Sequence, residues 1–224
     1  MKKNTTKKTI IFDLDGTLYS FKGDSIKKSG FYKKILENTK KYIIKELDKN
    51  EKEAKILLEK ILKKYGENIS IALEEKFGVN RYNYFNKVWD IPAKNYVNIK
   101  NYKLRKILLE IQNDFDLLLL SDAPKIWIEK VLKELKINDI FKNKILSGEG
   151  NTRKIFSNAF EKIIKNLKVK PKNCVVVGDQ IETDMIPAKK IGMKTIFVNQ
   201  NKHCDLADYN IKNILEIKKA LKNI

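Results

Sequence analysis

The chain has 224 residues, enough to bury a sizeable core as one large domain or as a domain carrying a smaller insert. With 42% hydrophobic and 33% charged residues it is not a disordered chain, and no apolar run approaches the roughly 20 residues of a membrane span. The formal net charge is +19, but arginine occurs only at Arg81, Arg105 and Arg153 and the lysines are spread evenly, which reads as a lysine-rich composition rather than a nucleic-acid surface.

In chain order, Thr9-Ile10-Ile11-Phe12 is a continuous apolar run, the pattern of a strand covered on both faces in a parallel sheet. Residues 21–98 then carry helical periodicity and no strand. Leu36, Ile43 and Leu47 mark one helix. Ala54, Leu57, Leu58, Ile61, Leu62 and Tyr65 mark a second that Gly66 closes, and Phe77, Tyr84, Phe85, Val88 and Trp89 add apolar surface. This stretch is too long for a loop, so a helical insert standing over a sheet is expected.

The alternating rhythm resumes beyond residue 98. Leu104, Ile107, Leu108 and Ile111 form a helical stripe before the apolar run Leu117–Leu120. Lys144-Ile145-Leu146 is a weaker strand candidate. Phe156, Phe160, Ile163, Ile164 and Leu167 form a second stripe before Val175–Val177, and Thr195–Val198 is the last run. Strands alternating with helices imply right-handed crossovers and a doubly wound α/β parallel sheet. The start of the chain has no apolar signal core, and Cys174 and Cys204 do not form a metal-spacing pair, so a cytoplasmic protein is expected. Cys174 reads as a packed strand residue and His203 as a surface loop residue.

Acidic and hydroxyl residues follow three of the runs: Asp13 and Asp15, Ser121 and Asp122, and Asp179 after Gly178. The carboxyl ends of parallel strands line one crevice, where ligands bind. Any one of these residues alone reads equally well as a turn or strand-end cap; the set, on separate strands, does not. Asp13 and Asp15 share a face in an extended chain, and Gly16 lets the backbone turn away without a blocking side chain.

Phe12-Asp13-Leu14-Asp15-Gly16-Thr17-Leu18 resembles the first motif of the haloacid dehalogenase-like hydrolase superfamily. Leu117–Ser121 is similar to its second, Val175–Asp184 to its fourth, and Ala188–Met193 continues the match in order. The Lys-Pro pair of the third motif is absent; Lys154, 25 residues before Asp179, takes its place by spacing, with Arg153 the competitor. The resemblance implies a Rossmann-like core of residues 1–20 and 99–224 with a helical cap at 21–98.

The resemblance further implies a Mg²⁺-dependent phosphatase of small phosphate monoesters. Asp13 is then the nucleophile that forms an aspartyl phosphate, and Asp15 the general acid and base. Lys154 is catalytic and phosphate-binding, and Ser121 and Asp122 belong to the phosphate site, with the Asp122 side chain read as a cap on the following helix. Asp13, Asp179 and the Asp15 carbonyl are the implied metal ligands, and Gly16, Thr17 and Asp184 support them.

The cap also resembles that of pyrimidine 5′-nucleotidase-like members, which makes Tyr19, Phe21 and Lys22 candidates to meet a ribose or base. Sugar or triose phosphates and nucleoside monophosphates therefore both stand as substrates. The implied partner is a small phosphate ester, with no membrane, nucleic acid disfavoured, and a monomer or homodimer. Asp15 argues against dehalogenation, because true dehalogenases of the superfamily lack this second aspartate. A receiver domain would carry neither the long insert nor the Asp15 acid. A phosphomutase, a phosphatase of nucleic-acid ends and a non-catalytic binding protein on the same fold remain the alternatives.

Overall fold

The computed structural model describes residues 7–26, 28–98, 102–149, 153–154 and 158–224. Six parallel strands form one sheet: β1 (Lys8–Phe12), β2 (Phe115–Leu120), β3 (Ile145–Leu146), β4 (Cys174–Gly178), β5 (Lys194–Val198) and β6 (Tyr209–Ile211). Their order is β3-β2-β1-β4-β5-β6, so the chain reverses its direction of travel across the sheet between β1 and β4. Register pairs Ile11 with Leu118 on one side and with Val176 on the other. The strand pattern of the sequence contains no counterpart of β6, a three-residue edge strand whose Tyr209 and Asn210 are only half-buried.

Both sheet faces are covered, which explains the continuous apolar runs. Ile10, Phe12, Leu117, Leu119, Val175 and Val177 point to one face. There they meet α5 (Tyr102–Ile111), α6 (Lys125–Glu134) and α9 (Ile217–Leu221). Ile11, Leu118, Leu120, Cys174 and Val176 point to the other, against α7 (Ala159–Leu167) and α8 (Ile186–Lys190). In α7, Phe160 and Ile163 are buried while Leu167 is exposed, and Phe156, expected on the same stripe, lies outside the described residues.

Between β1 and β2 the chain forms α1 (Phe31–Glu46), α2 (Glu51–Tyr65), α3 (Ile69–Phe77) and α4 (Arg81–Val88). Local signals set their ends. Asn50 and Glu53 form a reciprocal capping box on α2, Gly66 ends it at positive φ, and the Asn80 side chain caps α4. The buried residues of these helices, among them Ile43, Ala54, Ile61, Leu73 and Val88, continue the apolar cluster of the first sheet face. Phe77, expected with them, is instead exposed at the end of α3.

The chain enters and leaves this helical region side by side. Lys22 N donates to Tyr96 O at 2.8 Å and Asn98 N to Ser20 O at 2.9 Å, around an antiparallel bridge between Phe21 and Val97. Residues 99–101, where the expected division falls, are outside the described residues.

Candidate active site

Asp13 directly follows β1, Ser121 directly follows β2, and Asp179 directly follows β4, so the reversal in strand order brings all three to one rim. Asp13 N donates to Val177 O at 2.9 Å, which ties the end of β1 to the end of β4. Asp13 is buried, and both carboxylate oxygens are engaged. Thr17 Oγ1 donates to Oδ2 at 2.8 Å and Lys154 Nζ to Oδ1 at 2.6 Å. Lys154 Nζ also donates to Asp184 Oδ1 at 2.7 Å, and Gln180 N donates to Asp184 Oδ2 at 3.1 Å. Asp184 stands on the π-helical turn Ile181–Met185 and is wholly buried.

Two glycines make room for this packing. A Cβ on Gly16, whose φ is +89°, would lie 2.3 Å from Asp179 Oδ2, and one on Gly178 would lie 2.2 Å from Asp184 Oδ2. A side chain at either position would displace a carboxylate from the site.

Electrostatically the site holds excess acid. Burial alone would lower the pKa of Lys154, but the Asp13 and Asp184 carboxylates outweigh it and hold the ammonium well above the usual lysine range. Asp179 is pushed up to about 8, first by burial, then by the Asp13 and Asp184 charges, with Lys154 opposing. Asp184 is raised as well, burial leading and Lys154 opposing. Asp179 Oδ1 is a buried oxygen with no hydrogen-bond partner. Asp13, Asp179 and Asp184 each offer a carboxylate oxygen, and these atoms lie within 4.8 Å of one another. An orphaned carboxylate oxygen within an all-oxygen cluster fits a hard divalent cation, whose charge would reverse the upward shifts.

The Asp15 side chain is not part of that cluster. Its Oδ1 accepts from Trp127 Nε1 at 2.9 Å and from Tyr19 Oη, and its Oδ2 accepts from Ser121 Oγ at 3.3 Å. Burial, ahead of the Asp13 charge, raises its pKa, while the Tyr19 and Trp127 hydrogen bonds pull the other way. Asp122 does not cap α6 as expected. Pro124 occupies the N-cap without a side-chain bond, and Asp122 Oδ1 accepts from Lys154 N at 2.7 Å, so its carboxylate is spent fixing the backbone that carries the lysine. Arg153 points elsewhere: its Nη2 donates to Asn68 Oδ1 at 3.0 Å, on the helical region.

The family model described as haloacid dehalogenase-like hydrolase matches residues 7–192. The chain belongs to the haloacid dehalogenase-like hydrolases. Among its relatives, a glyceraldehyde 3-phosphate phosphatase of Methanocaldococcus jannaschii is 29% identical over 97% of this chain and 98% of its own. The human N-acylneuraminate-9-phosphatase is 26% identical over 54% of this chain and 51% of its own. A solved HAD phosphatase from Thermococcus onnurineus shares the fold, with a TM-score of 0.65 at 21% identity over 96% of this chain and 97% of that one.

Within this haloacid dehalogenase-like hydrolase, the sequence reading missed the partners of Asp15. The Trp127 indole carries no motif signal, and Tyr19 stands out only as a candidate to meet a ribose or base. Trp127 is one apolar position among several on α6, and it lies 112 residues from the carboxylate it meets. Arg81, whose Nη2 donates to Gly148 O at 3.3 Å, and Asn68 join the helical region to the rim in the same unannounced way. A lone charged or amide residue at a helix start reads first as a cap.

Proposed function

We propose that this hydrolase is a Mg²⁺-dependent phosphatase of small phosphate monoesters that works through an aspartyl phosphate on Asp13. Residues 1–20 and 99–224 form its catalytic core, and residues 21–98 its cap. The observation that carries this reading is the buried Asp13–Lys154–Asp184 arrangement with the orphaned Asp179 oxygen beside it and Asp15 two residues from Asp13. Asp13, Asp179 and the Asp15 carbonyl would hold Mg²⁺, with Asp184 beside them. When bound, the ion offsets the charge of the phosphoryl group.

In the first step an Asp13 carboxylate oxygen attacks phosphorus, and the bond from phosphorus to the ester oxygen breaks. Asp15 gives its proton to the departing alkoxide. In the second, water attacks the same phosphorus, Asp15 takes a proton from it, and the bond to Asp13 breaks to release phosphate and restore the carboxylate. Lys154 holds positive charge against the oxygens of the transferring group, with Asp122 fixing its backbone. Ser121 receives a phosphoryl oxygen, and Thr17 orients Asp13.

Two supports favour a sugar or triose phosphate over a nucleoside monophosphate. Tyr19 and Phe21, expected to meet a ribose or base, are buried against each other and Phe31, and Lys22 Nζ donates to Lys94 O. Neither aromatic ring offers a free face to a nucleobase. The Methanocaldococcus jannaschii relative, matched along nearly its full length, is named for a triose phosphate.

The test compares kcat/KM for glyceraldehyde 3-phosphate, glycerol phosphate, glycolate phosphate, UMP and CMP, with and without Mg²⁺, beside Asp13→Asn. Nucleotides should trail the best small ester by about a hundredfold or more, equivalent to about 2.7 kcal/mol. Asp13→Asn should lose activity on every ester. A nucleotide ranked first would overturn the substrate assignment alone, and an active Asp13→Asn enzyme would overturn the nucleophile.

A further inference from the structure

We propose that Trp127 and Tyr19 are positioning residues that commit proton exchange in this hydrolase to Oδ2 of Asp15. The inference rests on Asp15 serving as the general acid. A carboxylate oxygen offers two lone-pair directions. On Oδ1 both are taken, by Trp127 Nε1 at 2.9 Å and by the Tyr19 hydroxyl. An indole N–H only donates, so a proton placed on Oδ1 would face another proton. Oδ2 has one hydrogen-bond partner among the described residues, Ser121 Oγ at 3.3 Å, a long contact that a proton in transit displaces readily. Oδ2 also lies on the side of Ser121, which receives a phosphoryl oxygen in the proposed reaction.

Both donors are also held by aromatic packing. Trp127 is completely buried on α6, and the Phe31 ring lies 4.5 Å from it at a tilt. Phe31 begins α1, the first helix of the proposed cap. Its ring also meets Phe21 at 5.4 Å, Trp89 at 5.6 Å and Tyr96 at 5.5 Å, and Phe21 in turn meets Tyr19 at 5.2 Å. The cluster therefore spans both chain crossings into the helical region, and the seat of that region on the core fixes the two donors of Asp15. A structural reading of the same contacts exists, because a buried indole N–H or tyrosine hydroxyl needs a partner and a carboxylate is a good one. Leaving-group dependence separates the two.

The experiment measures kcat/KM of Trp127→Phe, Tyr19→Phe, the double variant and Asp15→Asn on glycerol phosphate and 4-nitrophenyl phosphate in Mg²⁺, with thermal unfolding alongside. kcat/KM reports the step in which the ester oxygen departs, and only the alkyl ester needs a proton there. General acid help is worth about 10²–10⁴-fold. Each single variant should lower the alkyl-to-aryl ratio about tenfold and the double variant further, while in an Asp15→Asn background Trp127→Phe should leave the ratio where it was. Equal losses on both esters, in step with the loss of Tm, would overturn positioning and leave a packing role. If Asp15→Asn itself lowers both esters equally, the general-acid reading fails and the inference falls with it. If Asp15→Asn is selective but neither aromatic variant is, only the inference fails. Should Trp127→Phe not fold, Tyr19→Phe alone decides, since it removes one hydroxyl and keeps the ring.

Discussion

Lys154 and Lys87 each place an ammonium 2.7 Å from a carboxylate, Asp184 in one case and Glu46 in the other. The first pair stands at the rim of the sheet with side chains 4% and 1% exposed; the second joins α4 to α1 on the helical region with side chains 45% and 23% exposed. Equal distance does not mean equal worth. In water the attraction is screened and the side chains lose freedom to hold it, so such pairs are worth about 0–1 kcal/mol. Out of water the ions cannot be separated without stranding a charge, which costs about 3–5 kcal/mol. The helical region carries its ion pairs at the surface, the Lys40–Glu51 pair among them. The rim holds charge where it is costly, and the proposed chemistry uses that arrangement.

Four substitutions sharpen that contrast. The largest effect is expected from Lys154→Ala, which strands Asp13 and Asp184 together. It should lower kcat/KM by about 10²–10³-fold, the scale for removing one charge-stabilising donor. The metal-free protein should lose about 3–5 kcal/mol in denaturant titration. Arg153→Ala, one residue away but turned to Asn68, should fall far less in the same assay. The reverse ranking would move the charge-balancing role to Arg153.

Asp179 gives an intermediate effect with a defined sign. Its folded pKa, about 8, exceeds its ordinary value, so between those limits the native state binds the extra proton. Stability of the metal-free protein should therefore fall as pH rises from 6 to 9. Asp179→Asn should flatten that slope, and saturating Mg²⁺ should remove it in the unsubstituted protein. A Tm of the metal-free protein that climbs from pH 6 to 9, with no change of slope in Asp179→Asn, would contradict this picture of the site. The smallest effect belongs to Lys87→Ala, within about 1 kcal/mol of wild type and with unchanged kcat/KM; a large loss there would show that the two pairs are not different in kind.

Legibility follows the same division. The sheet was readable because strands covered on both faces leave continuous apolar runs, and because Asp13, Ser121 and Asp179 sit where those runs stop. β6 was not, since a half-exposed edge strand of three residues carries no such run. Lys154 could be singled out only by its spacing from Asp179; what brings it to Asp13 is a hydrogen bond across 141 residues. Asp122 was misread because its sequence neighbourhood, ahead of Pro124 and a helix, fits a cap, while its actual partner is the amide of Lys154, 32 residues on. Trp127 and Arg81 leave no local trace, and Tyr19 stands out for a different role, because their contacts depend on which surfaces the fold apposes.

The central claim is a covalent phosphoryl group on Asp13, and it is tested most directly by trapping. Enzyme turning over its best small ester in Mg²⁺ is quenched in acid, reduced with borohydride and mapped by peptide mass spectrometry. Reduction converts an acyl phosphate, but not a free carboxylate, to an alcohol. The account predicts homoserine at Asp13, in amounts that rise with substrate and vanish without it. Conversion at Asp179 or Asp184 instead, or unmodified Asp13 in an enzyme quenched at full turnover with a trapping control that succeeds, would contradict it.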